Sequence, residues 1–253
     1  MDKRKLKSTS WQNSAKWYGR ITKDKGHYYH ENVVIPKTLD LLSLTPNSSL
    51  LDLGCGSGVL ARYLPKSVKY TGVDLSENLI KTAKKEDKNS SHKYLNLDAT
   101  TPQTFHEKFS HATMILSFQN MRSPQGAIKN VYKHLEENGV LVLVLNHPMF
   151  RIPRQSSWEI DPLKKTQFRR IDKYLSKMEI PINTNPSDRN SPITLSFHYP
   201  LWLISKMLKV DGFVIELIEE WSSDKESFGS AAKMENRARS EFPLFMAIKA
   251  RKV

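Results

Sequence analysis

Leu50-Leu51-Asp52-Leu53-Gly54-Cys55-Gly56-Ser57-Gly58 is the stretch that decides the fold of this 253-residue chain. The apolar run Leu50, Leu51 and Leu53 ends in glycines at alternate positions, and Val59-Leu60-Ala61-Arg62-Tyr63-Leu64 follows with helical patterning. That order predicts a strand, a tight turn and a helix, the place where open α/β sheets bind nucleotides. Glycine suits the turn because the backbone must take unusual angles and let a ligand come close. Lys69-Tyr70-Thr71-Gly72-Val73 reads as the next strand and ends on Asp74, twenty residues after Gly54. An acid at that spacing can accept both ribose hydroxyls of an adenosine.

Working outward, the same rhythm continues on both sides. A helix is expected over 32–42, with Pro36 tolerated in its first turn. Ser76 suits the N-cap of a helix reaching Lys85, Tyr94–Leu97 reads as the third strand and Ala112–Ser117 as the fourth. Ser123-Pro124 opens a helix reaching Leu135, Asn138-Gly139 is the stop after it, and Val140–Leu145 is an unbroken apolar strand of the buried parallel kind. Strands alternating with helices imply a right-handed parallel sheet. From 146 to 199 the rhythm fails: prolines recur at 148, 153, 162, 181, 186 and 192, and only Leu163–Leu175 reads as a basic amphipathic helix. Leu201–Val210 reads as a helix ended by Asp211-Gly212, and Phe213–Trp221 and Phe242–Ala250 read as the closing strands.

Glycine spacing separates two nucleotide-binding classes. The dinucleotide fingerprint places glycines first, third and sixth, whereas here Gly54, Gly56 and Gly58 stand first, third and fifth, with Asp52 two residues ahead. In this the chain resembles the class I methyltransferases that use S-adenosylmethionine (SAM) and release S-adenosylhomocysteine (SAH). The resemblance is strong over Leu50–Leu145, moderate over Leu201–Val253, and covers no motif between them. It implies a doubly wound, mostly parallel seven-stranded sheet with an antiparallel last strand and a lid-like insertion before the C-terminal helix-hairpin. The corresponding domain reading is a basic, aromatic flap over 1–31 and a methyltransferase domain over 32–253, with 147–199 as substrate lid.

The resemblance also implies roles at the cofactor. Asp52 would pair with the SAM ammonium, directly or through water, and the backbone N–H groups of the glycine turn (Gly54, Cys55, Gly56, Gly58) and of the helix start with its carboxylate. Asp74 would hold the ribose, Leu75 would cover the adenine, and Asp98 backed by Ala99 would accept its amino group. Ser117 and Asn120 would border the sulfonium, and Tyr28, with Tyr18 and Tyr29, would belong to the flap. His147 and His198 are the candidate bases, because an imidazole titrates near neutrality. Arg151, Arg154 and Trp158 in the insertion would suit an anionic or planar acceptor.

Several subclasses do not fit. Ser117-Phe118-Gln119-Asn120 lacks the Pro-Pro-aromatic loop used on exocyclic base nitrogens, and the single cysteine, Cys55, lies inside the first motif rather than where cytosine C5 chemistry needs a nucleophile. The paired-glutamate loop of arginine methyltransferases is absent too. The acceptor expected is therefore a small molecule methylated at oxygen, nitrogen or activated carbon. The alternatives are an RNA or protein methyltransferase, favoured by the net charge of +13, or a SAM/SAH-binding protein without turnover. One cysteine excludes an intrachain disulfide. No apolar run approaches the ~20 residues of a membrane span, and the charged start lacks a signal-peptide core; a cytoplasmic location is expected.

Overall fold

The computed structural model describes residues 9, 11–22, 26–185, 188 and 191–253. Of the basic N-terminal positions, 1–8 and 23–25 lie outside these. Five strands form the parallel heart of the sheet: β1 (Ser49–Leu53), β2 (Lys69–Asp74), β3 (Lys93–Asn96), β4 (Phe109–Ile115) and β5 (Leu135–Asn146). With β10 (Phe213–Trp221) and β11 (Phe245–Lys252) they line up as β10-β11-β5-β4-β1-β2-β3. β11 runs antiparallel to both of its neighbours, as the sequence suggested for the last strand.

The central strands carry apolar residues on both faces because both are covered. Leu141, Leu143 and Leu145 of β5 join the cluster that packs on α4 (Pro124–His134) and α5 (Leu201–Val210), while Val140, Val142 and Val144 join the cluster beneath α2 (Ile35–Leu42). Successive side chains of a strand point to opposite faces, so one continuous apolar run supplies two cores. Each such side chain contributes about 1.5–3 kcal/mol by leaving water.

Four stretches differ from expectation. The helix read after the glycines is only a 3-10 turn, Leu60–Tyr63, because Leu64 precedes Pro65 and is held extended at φ −76°, ψ 144°. The helix read over 32–42 starts earlier, as a π turn over His30–Val34 that runs into α2 ahead of Pro36. α4 ends at His134, one residue short of the expected Leu135, but β5 begins at Leu135 rather than at Val140, since Leu135 already pairs with Phe109 in the sheet. The final strand begins at Phe245, and Ala232–Glu241, which carried no strong apolar stripe, forms α6.

The insertion is corrected most. Its basic stretch is not a helix: β6 (Ser156–Asp161) and β7 (Thr166–Ile171) form one antiparallel hairpin, and β8 (Met178–Asn183) and β9 (Ile193–His198) form another. The N-terminal segment contributes a 3-10 turn over Gln12–Ser14, α1 (Ala15–Thr22) and, with the π turn, one cover of the sheet. α3 (Glu77–Glu86) follows β2 and takes Ser76 as its N-cap, whose Oγ accepts from Leu79 N–H at 3.3 Å. Among the described residues no helix is long and apolar enough to cross a membrane.

Candidate active site

Parallel strands deliver their C-terminal ends to one edge of the sheet, and here β1, β2, β4 and β5 all open onto a single cavity of about 580 Å³. Gly54, Gly56, Asp74, Leu75, Asp98, Ala99, Ser117 and Asn120 all line it. Gly54 sits at φ +80°, and a Cβ there would lie 2.3 Å from that of Ser117, so only hydrogen fits where β1 and β4 end together. Ser117 Oγ donates to Leu53 O at 2.8 Å, which locks that approach.

Asp74 is fixed from its own backbone surroundings. Gly56 N–H donates to Oδ2 at 2.9 Å and Ser76 N–H to Oδ1 at 2.8 Å. Burial raises its pKa, and these two bonds oppose the rise. Each oxygen keeps a lone pair, so two further hydroxyls can be bound. Asp98 uses Oδ1 for Thr100 N–H (2.8 Å) and Thr100 Oγ–H (2.7 Å), which leaves Oδ2 without a partner among the described residues. Leu75 is 44% exposed beside them, an apolar wall facing the space.

Other expected residues stand elsewhere. Asp52 lies beneath the loop, 2% exposed, accepting from Tyr70 O–H at 2.8 Å and Thr113 O–H at 3.0 Å. Burial pushes its pKa up to about 6, against those two bonds. Asp52 does not itself line the cavity. Cys55 and Gly58 are also behind the wall. The N–H groups of Gly54 and Cys55 both go to Val73 O, and that of Gly58 to Cys55 O. With Gly56 N–H on Asp74, these four N–H groups are engaged within the protein, and the loop offers close approach of bare backbone.

Neither histidine expected as a base lines the large cavity. His147 Nδ1 accepts from Met149 and Phe150 N–H at 3.2 and 3.3 Å, so the ring proton is on Nε2, which donates to Glu220 at 2.6 Å. Burial lowers its pKa, opposed by Glu220. The ring ties the start of the insertion to β10. His198 donates from Nε2 to Tyr174 O at 2.6 Å and borders only a small side space. Tyr28 is 40% exposed and donates to Asp224 at 2.9 Å.

Tyr18 takes the place expected of Tyr28. It lines the cavity beside Trp11, their rings edge to face at 5.7 Å, and burial raises its pKa. Gln12 Oε1 accepts from Ser76 O–H (2.8 Å) and Asn78 N–H (3.1 Å), while Thr22 and Ser57 hydroxyls lie 3.1 Å apart, so this cover is pinned to α3 and to the glycine loop. Ser14 O–H donates to Thr184 Oγ at 2.7 Å, joining it to the β8–β9 hairpin. From the insertion Pro153, Ile182 and Ser196 complete the wall. Their participation had no motif to announce it, whereas Trp11 and Tyr18 were visible as an aromatic cluster. Among the described residues no group of three or more His, Cys, Asp or Glu is arranged to hold a metal ion.

Residues 51–141, the stretch that contributes Asp74 and Asp98 to the cavity, match the family model described as a methyltransferase domain. The sheet order and the antiparallel β11 are likewise those of the methyltransferase fold. A SAM-dependent methyltransferase from Mesorhizobium loti has the same fold, with a TM-score of 0.67 at 23% identity over 86% of this chain and 96% of that one. The glycopeptide N-methyltransferase MtfA, solved with SAH, gives a TM-score of 0.56 at 16% identity over 87% of both chains. An uncharacterized protein of Haemophilus influenzae is 28% identical over 158 residues, 56% of this chain; the match spans 61% of that relative's length.

Proposed function

We propose that this protein transfers the methyl group of SAM to a small-molecule acceptor at oxygen, nitrogen or activated carbon. The observation that carries the reading is the reach of one cavity, from Gly54, Asp74 and Asp98 on the sheet to Pro153, Ile182 and Ser196 in the insertion. Its volume of about 580 Å³ lies within the ~300–1,000 Å³ usual for small-molecule sites. A roof made from two chain segments suits a compact acceptor better than a nucleic-acid strand.

The residues fit the cofactor. Asp74 would take the ribose hydroxyls, Asp98 Oδ2 the adenine amino group, and Leu75 with Ala99 the adenine faces. Bare backbone at Gly54 and Gly56 would let the methionine end lie close. When bound, SAM supplies an electrophilic methyl on a sulfonium, so alignment of the acceptor is the first requirement. Ser117 and Asn120 would border that alignment. His30 is the imidazole on the cavity wall, and burial holds its pKa down to about 4; it is neutral at pH 7 and a weak base. The reading therefore favours an acceptor that needs positioning more than deprotonation, with His147 and His198 as architectural groups.

Calorimetric titration with SAM and SAH, followed by a tritiated-methyl screen of small metabolites, tests this. Tight binding with incorporation supports it, and binding without incorporation would leave a SAM-binding module instead. No binding of either molecule at millimolar concentration would end the reading. RNA methylation draws on the +13 charge and requires steeply salt-dependent RNA affinity in a filter-binding assay.

A further inference from the structure

Beside the main cavity lies a smaller space of about 30 Å³ that shares Gln119, Asn146, Pro153 and Ser196 with it and adds Arg151 and His198. Arg151 stands in the turn after β5, its N–H bonded to His147 O at 2.9 Å. Its guanidinium lies over the Phe245 ring, 5.6 Å from the centroid, and Nη1 donates to Asn146 Oδ1 at 3.0 Å. Among the described residues no carboxylate pairs with it. Burial lowers its pKa, and the charge of Arg169 lowers it further, only Tyr29 acting in the other direction. Arg169 is likewise without an acid, donating to Phe150 O and Ser156 Oγ.

A guanidinium drawn out of water with one neutral acceptor is electrostatically incomplete. Arg151 is the one cation that lines the annex among the described residues, and Arg169, close enough to act on its charge, is held instead over Trp158. Among the described residues Ser196, 6% exposed on β9, has no partner for its hydroxyl, and Asn146 Nδ2 has none either. Among the described residues no carboxylate lines this space, which these donors share with the Gln119 side chain. At roughly 10–15 Å³ per water-sized atom, that space of about 30 Å³ holds two or three oxygens. A planar carboxylate fits it and matches the fork of a guanidinium.

We propose, resting on the methyltransferase reading above, that the acceptor is a small carboxylic acid whose carboxylate docks on Arg151 in this annex, with Asn146 Nδ2 and Ser196 Oγ as further donors. Its nucleophilic atom then remains in the main cavity, on the side of Ser117 and Asn120. Charge recognition in this arrangement selects the acceptor, and Arg151 is a specificity residue rather than a catalytic one.

The test uses matched acids and amides: acetate, benzoate and salicylate against acetamide, benzamide and salicylamide, titrated into the full chain saturated with SAH. At least one acid should bind about tenfold or more tightly than its amide, as expected for a charge-assisted pair. Arg151→Met should erase that preference while the SAH affinity stays unchanged. Because Arg151 packs on Phe245, Ser196→Ala serves as a second variant and should weaken the same acid several-fold without moving its amide. Equal affinity for acids and amides would overturn the proposal. So would an unaltered preference in Arg151→Met, or phenyl phosphate displacing the acids. Failure at the first step, saturation with SAH, would instead strike the methyltransferase reading, and it is seen before any acid is added.

Discussion

Asp52 and Asp74 end neighbouring strands and differ in what reaches them. Asp74 has its oxygens half satisfied by backbone N–H groups at the cavity wall, whereas Asp52 is enclosed between Tyr70 and Thr113. Asp74→Ala should therefore raise the Kd for SAM by about tenfold or more, the worth of hydrogen bonds to a charged group, with a smaller loss of stability that a melting curve would separate. For Asp52 the prediction concerns pH. Its folded pKa of about 6 lies above the 3.8 of a free aspartate, so the folded state holds the proton that the unfolded chain has already released. Stability from this group is present below pH 4 and is lost as pH rises to about 6, by about 3 kcal/mol at 1.36 kcal/mol per unit. Urea denaturation of wild type and Asp52→Asn should show their stability difference moving by that amount between pH 4 and 6 and staying flat above it. His147→Ala removes the acceptor of two N–H groups and the partner of Glu220. It is expected to cost about 2–4 kcal/mol while sparing the turnover of the folded fraction; a normal melting temperature with lost turnover would restore the histidine as a base.

At the scale of elements, what could be read from the sequence was what repeated apolar patterning dictates. β1, β2 and β5 are buried on both sides, so Leu50–Leu53 and Val140–Leu145 announce themselves, and the glycine spacing then fixes where β1 must turn. Whereas β9 of the second insertion hairpin is buried from Thr194 to His198, the first hairpin, β6–β7, shows no buried position on either face. Nothing forces apolar residues to alternate there, and Phe168-Arg169-Arg170 imitates an amphipathic helix. The site divides along the same line. Asp74, Leu75 and Asp98 follow from strand ends, whereas Ile182, Ser196 and Tyr18 reach the cavity through contacts made far apart in sequence. The Ser14–Thr184 bond is one of these, spanning 170 residues. Ser14→Ala and Thr184→Val should each loosen the roof, and a double-mutant cycle on SAM dissociation rates should give a coupling of about 0.5–1.5 kcal/mol. Additive effects would mean that the two covers move independently.

For the molecule as a whole, binding should be visible from the roof. Trp11 lines the cavity with its indole N–H buried and without a partner, so saturating SAH should shift or quench its emission, and Trp11→Phe should remove that change. A second whole-molecule property follows from the sheet order. β10 touches the rest of the sheet only through β11, its register running from Phe213 opposite Lys252 to Trp221 opposite Phe245. Cleavage ahead of Phe245 followed by loss of that piece would therefore strand two ribbons, not one. β10 already presents Val214, Leu217 and Ile218 to solvent, and an orphaned edge of that composition is sticky. Such a nicked protein is expected to clump instead of persisting as a trimmed, working remnant.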